Sequence, residues 1–125
     1  MSRCQICGRR TPLSKKEMIA HHHVRGDLCA GAGFPPIEVS DARLAEVAAS
    51  ARQEASRISD KLLSLYERRA NWIDPALVTS AATAAIHADK LARRLERHRA
   101  WPMRFARQMQ SQGWGDPPPA YLLSN

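Results

Sequence analysis

Between positions 44 and 65 the apolar residues recur with one period. Leu44, Ala48, Ala51, Ala55, Ile58, Leu62 and Leu65 are spaced 4, 3, 4, 3, 4, 3. That spacing places them on one stripe of an α-helix. Ser40 or Asp41 stands where a side-chain oxygen accepts the orphan amide hydrogens of a first turn. The pattern predicts a helix from about 41 to about 70, roughly 45 Å long at 1.5 Å per residue. A second stripe has the same spacing: Leu77, Ala81, Ala84, Ala88, Leu91, Leu95 and His98. Asp74 is its expected cap, and Pro75 suits a first helical position, where no amide hydrogen is needed. Pro102 breaks this helix near Trp101. A shorter helix is expected over 102–112, with Met103, Phe105, Ala106 and Met109 apolar, and Gly113 ends it.

Two matched stripes joined by the short "RANWID" segment predict an antiparallel helical hairpin. Its alanines let the backbones approach closely but bury little. At about 0.8 kcal/mol per buried methylene, such a seam stabilises weakly. The third helix, the N-terminal segment or a second copy of the chain is expected to cover it. The composition agrees with this shape. Hydrophobic residues make up 44% of the 125 positions, which excludes compositional disorder, but only 6% are aromatic.

The ends of the chain read differently. Residues 113–125, "GWGDPPPAYLLSN", predict an extended tail with polyproline II character. Residues 1–39 hold all three cysteines, three adjacent histidines and four of the six glycines. Cys4 and Cys7 form a C-x-x-C pair followed by Gly8, a spacing that lets two sulfurs reach one ion across a tight turn. Cys29 adds a third sulfur, and one of His21, His22 and His23 adds an imidazole. His22 is the first choice, then His21, then His23. Three thiolates and an imidazole suit a tetrahedral zinc ion, Zn2+, in a closed structural site. "SKKE" at 14–17 is a capping-box pattern that predicts a short helix through Met18 and Ile19, ending near the histidines. "RGDLC" predicts a turn at Gly26 that returns Cys29 to the same point.

Size supports a metal. About 40 residues poor in large apolar groups need a metal or disulfides to fold. An odd cysteine count and the absence of a signal peptide at "MSRCQICGRR" favour a cytoplasmic chain with reduced thiols. No apolar run approaches the roughly 20 residues that span a bilayer. A redox role for C-x-x-C is disfavoured, because no strand–helix unit precedes it.

"CQICGRRTPLSKKEMIAHHHVRGDLCAGAG" resembles a small Cys3His zinc-finger pattern found in proteins of actinobacteria and their phages. The resemblance covers roughly the first 35 residues. It implies a ligand set of Cys4, Cys7, a histidine among 21–23 and Cys29, and no particular activity. The HNH nuclease pattern is incomplete: no second C-x-x-C follows Cys29, and His87 and His98 fall inside the predicted hairpin. Phosphate-loop, nucleophile-elbow and H-E-x-x-H signatures are absent. The chain therefore reads as a non-enzyme.

Charge narrows the partners. The net charge is +7 and the isoelectric point about 10.0, which favours nucleic acid or an acidic protein. Residues 41–69 carry both signs evenly. The positive excess sits in the N-terminal segment (Arg9, Arg10, Lys15, Lys16) and after residue 90, where Glu96 is the lone acid up to 107. Arg93, Arg94, Arg97 and Trp101 are candidates for gripping phosphate and stacking on a base. The sequence thus predicts a mainly α protein. A zinc-binding module (1–39) precedes an antiparallel hairpin with a short third helix (40–112) and a Pro-rich tail (113–125). The expected function is zinc-stabilised nucleic-acid binding of a regulatory kind. The alternative is a protein-interaction adaptor or host-factor binder that uses the Ala-rich hairpin, pairing with a host protein or with a second copy.

Overall fold

A computed structural model describes residues 1–113 and 119–123. Four two-residue strands come first: β1 (Ser2–Arg3), β2 (Arg10–Thr11), β3 (His23–Val24) and β4 (Asp27–Leu28). Four helices follow among the described residues: α1 (Ala42–Glu67), α2 (Pro75–Arg99), α3 (Trp101–Gln112) and α4 (Ala120–Leu123). β1 pairs antiparallel with β2, and β3 with β4. α1 and α2 pack along each other as the predicted hairpin. No described helix is long and apolar enough to cross a membrane.

The seams are where the spacing puts them. Leu44, Ala48 and Ala55 are buried on α1, and Ala81, Ala88, Leu91 and His98 on α2. Burial is greatest where α1 begins and α2 ends. At the other end Ile58, Leu62, Leu65 and Leu77 are only half-buried. The difference has a cause in the N-terminal module. Its Ile6 and Ile37 pack onto Leu44, Ala48 and Leu91, so it is the module that covers the hairpin base.

The helix ends follow local chemistry. Asp74 accepts from the Ala76 amide at 2.9 Å, with Pro75 directly after it, as expected. At the start of α1 the expectation is met by a different division of labour. Ser40 Oγ accepts from the Ala42 amide at 3.1 Å, while the Asp41 carboxylate pairs with Arg99 at 3.1 Å. α1 stops at Glu67, three residues before the expected end. Arg69 takes a left-handed φ of 51°. Its amide reaches the Tyr66 carbonyl and the Ala70 amide reaches Leu65, the paired bonds of a Schellman stop. α2 ends at Arg99, and α3 begins at Trp101 with Pro102 in its first turn. Met103 is exposed; the side chains of Phe105, Ala106 and Met109 lie outside the described residues.

Two expectations are corrected. Residues 14–19 form no helix. Ser14 and Met18 close a tight turn, amide to carbonyl at 2.7 Å, with Ser14 Oγ accepting from the Met18 amide at 3.3 Å. Glu17 sits at φ 61°, and Leu13 bridges to Ile19 as a β-pair. The Ile19 and Ala20 amides go to the Phe34 and Pro12 carbonyls, so a helical ladder has no donors there. Burial of Ile19 among the cysteines outweighs the capping-box preference. The histidines consequently lie in extended chain, with His23 in β3. The second correction concerns the tail. Residues 114–118 lie outside the described residues, but Ala120–Leu123 form a helical turn instead of an extended segment. Tyr121 anchors this turn by donating to the Ile37 carbonyl at 2.7 Å and bonding His98.

Candidate metal centre

Four ligand-type side chains converge in the N-terminal module. Cys4, Cys7, His22 and Cys29 hold their ligand atoms within 4.8 Å of one another, close enough to bind a metal ion. The C-x-x-C turn brings the first two. The Cys4 amide donates to the Arg9 carbonyl, and the Gly8 amide donates to Cys4, both at 3.0 Å. This folds the chain back at Gly8, whose φ of 74° is strained for any residue with a side chain. The β3–β4 hairpin brings the other two. It turns at Arg25 and Gly26, as "RGDLC" predicts, and the Cys29 amide donates to the His22 carbonyl at 3.0 Å.

The distances fit one small ion. Cys4 Sγ lies 3.8 Å from Cys29 Sγ, and Cys7 Sγ lies 3.3 Å from His22 Nε2. A tetrahedron with metal–sulfur bonds of about 2.3 Å has sulfur–sulfur edges of about 3.8 Å. The His22 ring is oriented by its backbone neighbour. Its Nδ1 donates to the Ala20 carbonyl at 2.9 Å, which leaves Nε2 as the free lone pair. His22 is thus the histidine of the cluster. His21 and His23 are both exposed.

The thiols differ because their surroundings do. Burial pushes Cys29 up to about 11, partly offset by a backbone hydrogen bond from Gly31. Burial also acts on Cys7. There, hydrogen bonds from the Arg9 backbone, His22, Cys4 and Cys29 outweigh it and hold the thiol below its ordinary value. The bond to Ala20 raises His22 above the ordinary imidazole value against an opposing effect of burial.

Several residues that position the site carry no motif signal. Gly31 packs against the Cys4 sulfur, and a Cβ there would overlap Cys4 Sγ and crowd Ile6. Gln5, inside the C-x-x-C, is 1% exposed. Its Oε1 accepts from the Leu44 amide of α1 at 3.0 Å, and its Nε2 donates to Pro35 at 2.7 Å. Capping by a residue so distant in sequence has no local pattern to betray it.

The candidate phosphate-gripping residues differ in their surroundings. Arg94 donates to the Ile6 carbonyl and lies beside Gly8, so it is a strut between α2 and the C-x-x-C turn. Arg93 pairs with Asp89 at 3.0 Å on the exposed face of α2. Arg9, Arg10, Lys15, Lys16 and Arg97 are exposed, and none has an ion pair among the described residues. Trp101 is 38% exposed and meets His98 edge-on. Compared with known proteins, the chain matches no family model, no curated protein and no solved structure.

Proposed function

We propose that the protein is a non-enzymatic, zinc-stabilised nucleic-acid-binding protein of the cytoplasm. Zinc fits the ligand chemistry: three cysteine sulfurs and one imidazole nitrogen within 4.8 Å of one another. Four protein ligands complete that geometry and leave no position for a substrate. The site therefore supports the fold of the module, and binding falls to the surface around it.

The observation that carries nucleic-acid binding is the Arg94 strut. It seats Ile6 and Gly8 of the C-x-x-C turn on α2; Arg9 and Arg10 follow Gly8 directly in the chain, and Lys90 and Arg97 lie one turn from Arg94 along the helix. This reading gathers two basic segments far apart in sequence around the strut, as phosphate-binding proteins gather charge. The prediction is a steep salt dependence. Fluorescence anisotropy with a labelled DNA duplex should show affinity falling linearly in log–log form as KCl rises from about 50 to about 300 mM (a range set by the usual span of counterion release). Arg97→Glu combined with Arg93→Glu should weaken binding at least about tenfold and flatten that slope. Unchanged retention by the double variant would refute this reading. Arg94 is unsuitable for the test, because its loss disturbs the C-x-x-C turn.

A second reading, a protein-interaction adaptor, has its own support. Leu63, Tyr66 and Trp72 are exposed at the end of the hairpin away from the metal module, Trp72 by 72%. A hydrophobic interface there would persist in high salt and give a defined oligomer by native mass spectrometry. It would be lost in Trp72→Ala.

A further inference from the structure

The two residues between Cys4 and Cys7 each hold a different helix of the hairpin. Gln5 accepts from the Leu44 amide, third in α1 and one of those with no partner inside the helix. Ile6 accepts from Arg94 of α2 through its carbonyl. Its side chain touches both the cysteine cluster and the Leu44–Ala48–Leu91 cluster. The second ligand loop is gripped as well. Arg43 of α1 donates to the carbonyl of Ala30, next to Cys29, at 3.0 Å, and its guanidinium lies 4.2 Å from the Phe34 ring centre.

These contacts depend on the direction of backbone groups in the ligand loops. The Ile6 carbonyl and the Gln5 side chain point at the helices only while the C-x-x-C turn is closed. Ligands gathered on one ion add to the Cys4–Arg9 and Gly8–Cys4 backbone bonds in closing that turn; without an ion those bonds hold it alone. If the turn opens, α1 loses a cap and Arg94 loses its acceptor. The half-buried guanidinium then has to move to water.

We propose that Gln5, Arg43 and Arg94 are positioning residues that join metal binding and closure of the hairpin base into one event. Metal occupancy thereby sets the arrangement of the basic face. That last consequence rests on the nucleic-acid reading; the coupling itself does not. The coupling is reciprocal: the factor by which a closed base tightens metal binding is the factor by which metal favours closure.

The test uses the full chain. Zinc affinity is measured by competition with a chromophoric chelator for the parent, Gln5→Met, Arg94→Met and, as a control at the far half of the hairpin, Ile58→Ala. Amide hydrogen exchange is followed with zinc and with EDTA. Zinc is expected to protect the first turn of α1 and the stretch of α2 around Arg94. Gln5→Met and Arg94→Met are expected to hold zinc about 10- to 100-fold more weakly, and Ile58→Ala as tightly as the parent. Equal protection of the base with and without zinc overturns the proposal, as does parental affinity in both variants. Equal weakening by Ile58→Ala also overturns it, since the effect would then be general loss of stability. If the methionine variants do not fold, amide exchange of the parent with zinc and with EDTA decides the proposal, and equal protection of the base in the two conditions overturns it. Anisotropy on the same samples separates the two readings. A parent that binds no nucleic acid defeats the proposed function, while affinity and exchange still decide the coupling.

Discussion

Gly31 shows how much a single position can carry without a motif to mark it. Its α-hydrogen faces the Cys4 sulfur, and no left-handed angle is involved; the demand is for space. Gly31→Ala is therefore expected to push Cys4 Sγ out of the ligand cluster. Overpacking of this kind costs about 1–3 kcal/mol, and zinc affinity should fall with it. Chelator competition and a thermal melt of the same variant check both effects. The ligands themselves are legible in the sequence, because C-x-x-C, a histidine group and a third cysteine announce tetrahedral donors. His22 ranks first among three adjacent histidines on sequence alone, but only the Ala20 carbonyl, which fixes its Nδ1, explains that selection. Gln5 and Gly31 are hidden. Their roles arise from chain segments 39 and 27 positions away, Leu44 and Cys4, and no local pattern reports such a contact.

At the scale of elements, seven-position seams predict both long helices and their antiparallel pairing, because helical periodicity is printed directly in the residue order. Asp74–Pro75 and Pro102 mark real boundaries for the same reason. The short helix expected at 14–19, which does not form, is instructive. A capping box expresses a local preference of about 1 kcal/mol, and burial of Ile19 among the cysteines exceeds it. The seams do not reveal that burial is uneven along the hairpin, since that depends on where the metal module docks. This unevenness has a measurable consequence. Leu44 is fully buried between module and hairpin, whereas Leu63 is 57% exposed. Leu44→Ala should cost about 2–5 kcal/mol, and Leu63→Ala should fall within about 0.5 kcal/mol of the parent. Urea unfolding of the zinc-loaded chains compares them. A similar cost at both positions would mean that the far half of the hairpin is covered by a partner, as the adaptor reading requires.

In the whole molecule, the C-terminal turn closes back on the place where module and hairpin meet. Tyr121 has one hydroxyl proton, and it goes to the Ile37 carbonyl. The bond between Tyr121 and His98 Nε2 therefore takes its proton from the ring, so neutral His98 carries hydrogen on Nε2. Burial holds the His98 pKa below its ordinary 6.5, against the pull of Asp41 and Glu38 and with a smaller push from Arg99. Burial also raises the Tyr121 hydroxyl, which stays neutral at physiological pH. The sign follows from linkage. A histidine whose folded pKa is depressed gives its full contribution above the unfolded value of about 6.5. It loses that contribution as the pH falls from about 6.5 through the lower folded value. Acid also releases metal, because protons compete for thiolate and imidazole, so a melt of the parent alone mixes two effects. His98→Gln keeps a polar group at the seam and leaves the metal ligands untouched. Between about pH 7.5 and about pH 5, the melting temperature of the zinc-loaded parent should fall further than that of His98→Gln, with the gap opening below about 6.5. Parallel curves would show that His98 contributes nothing to the acid sensitivity.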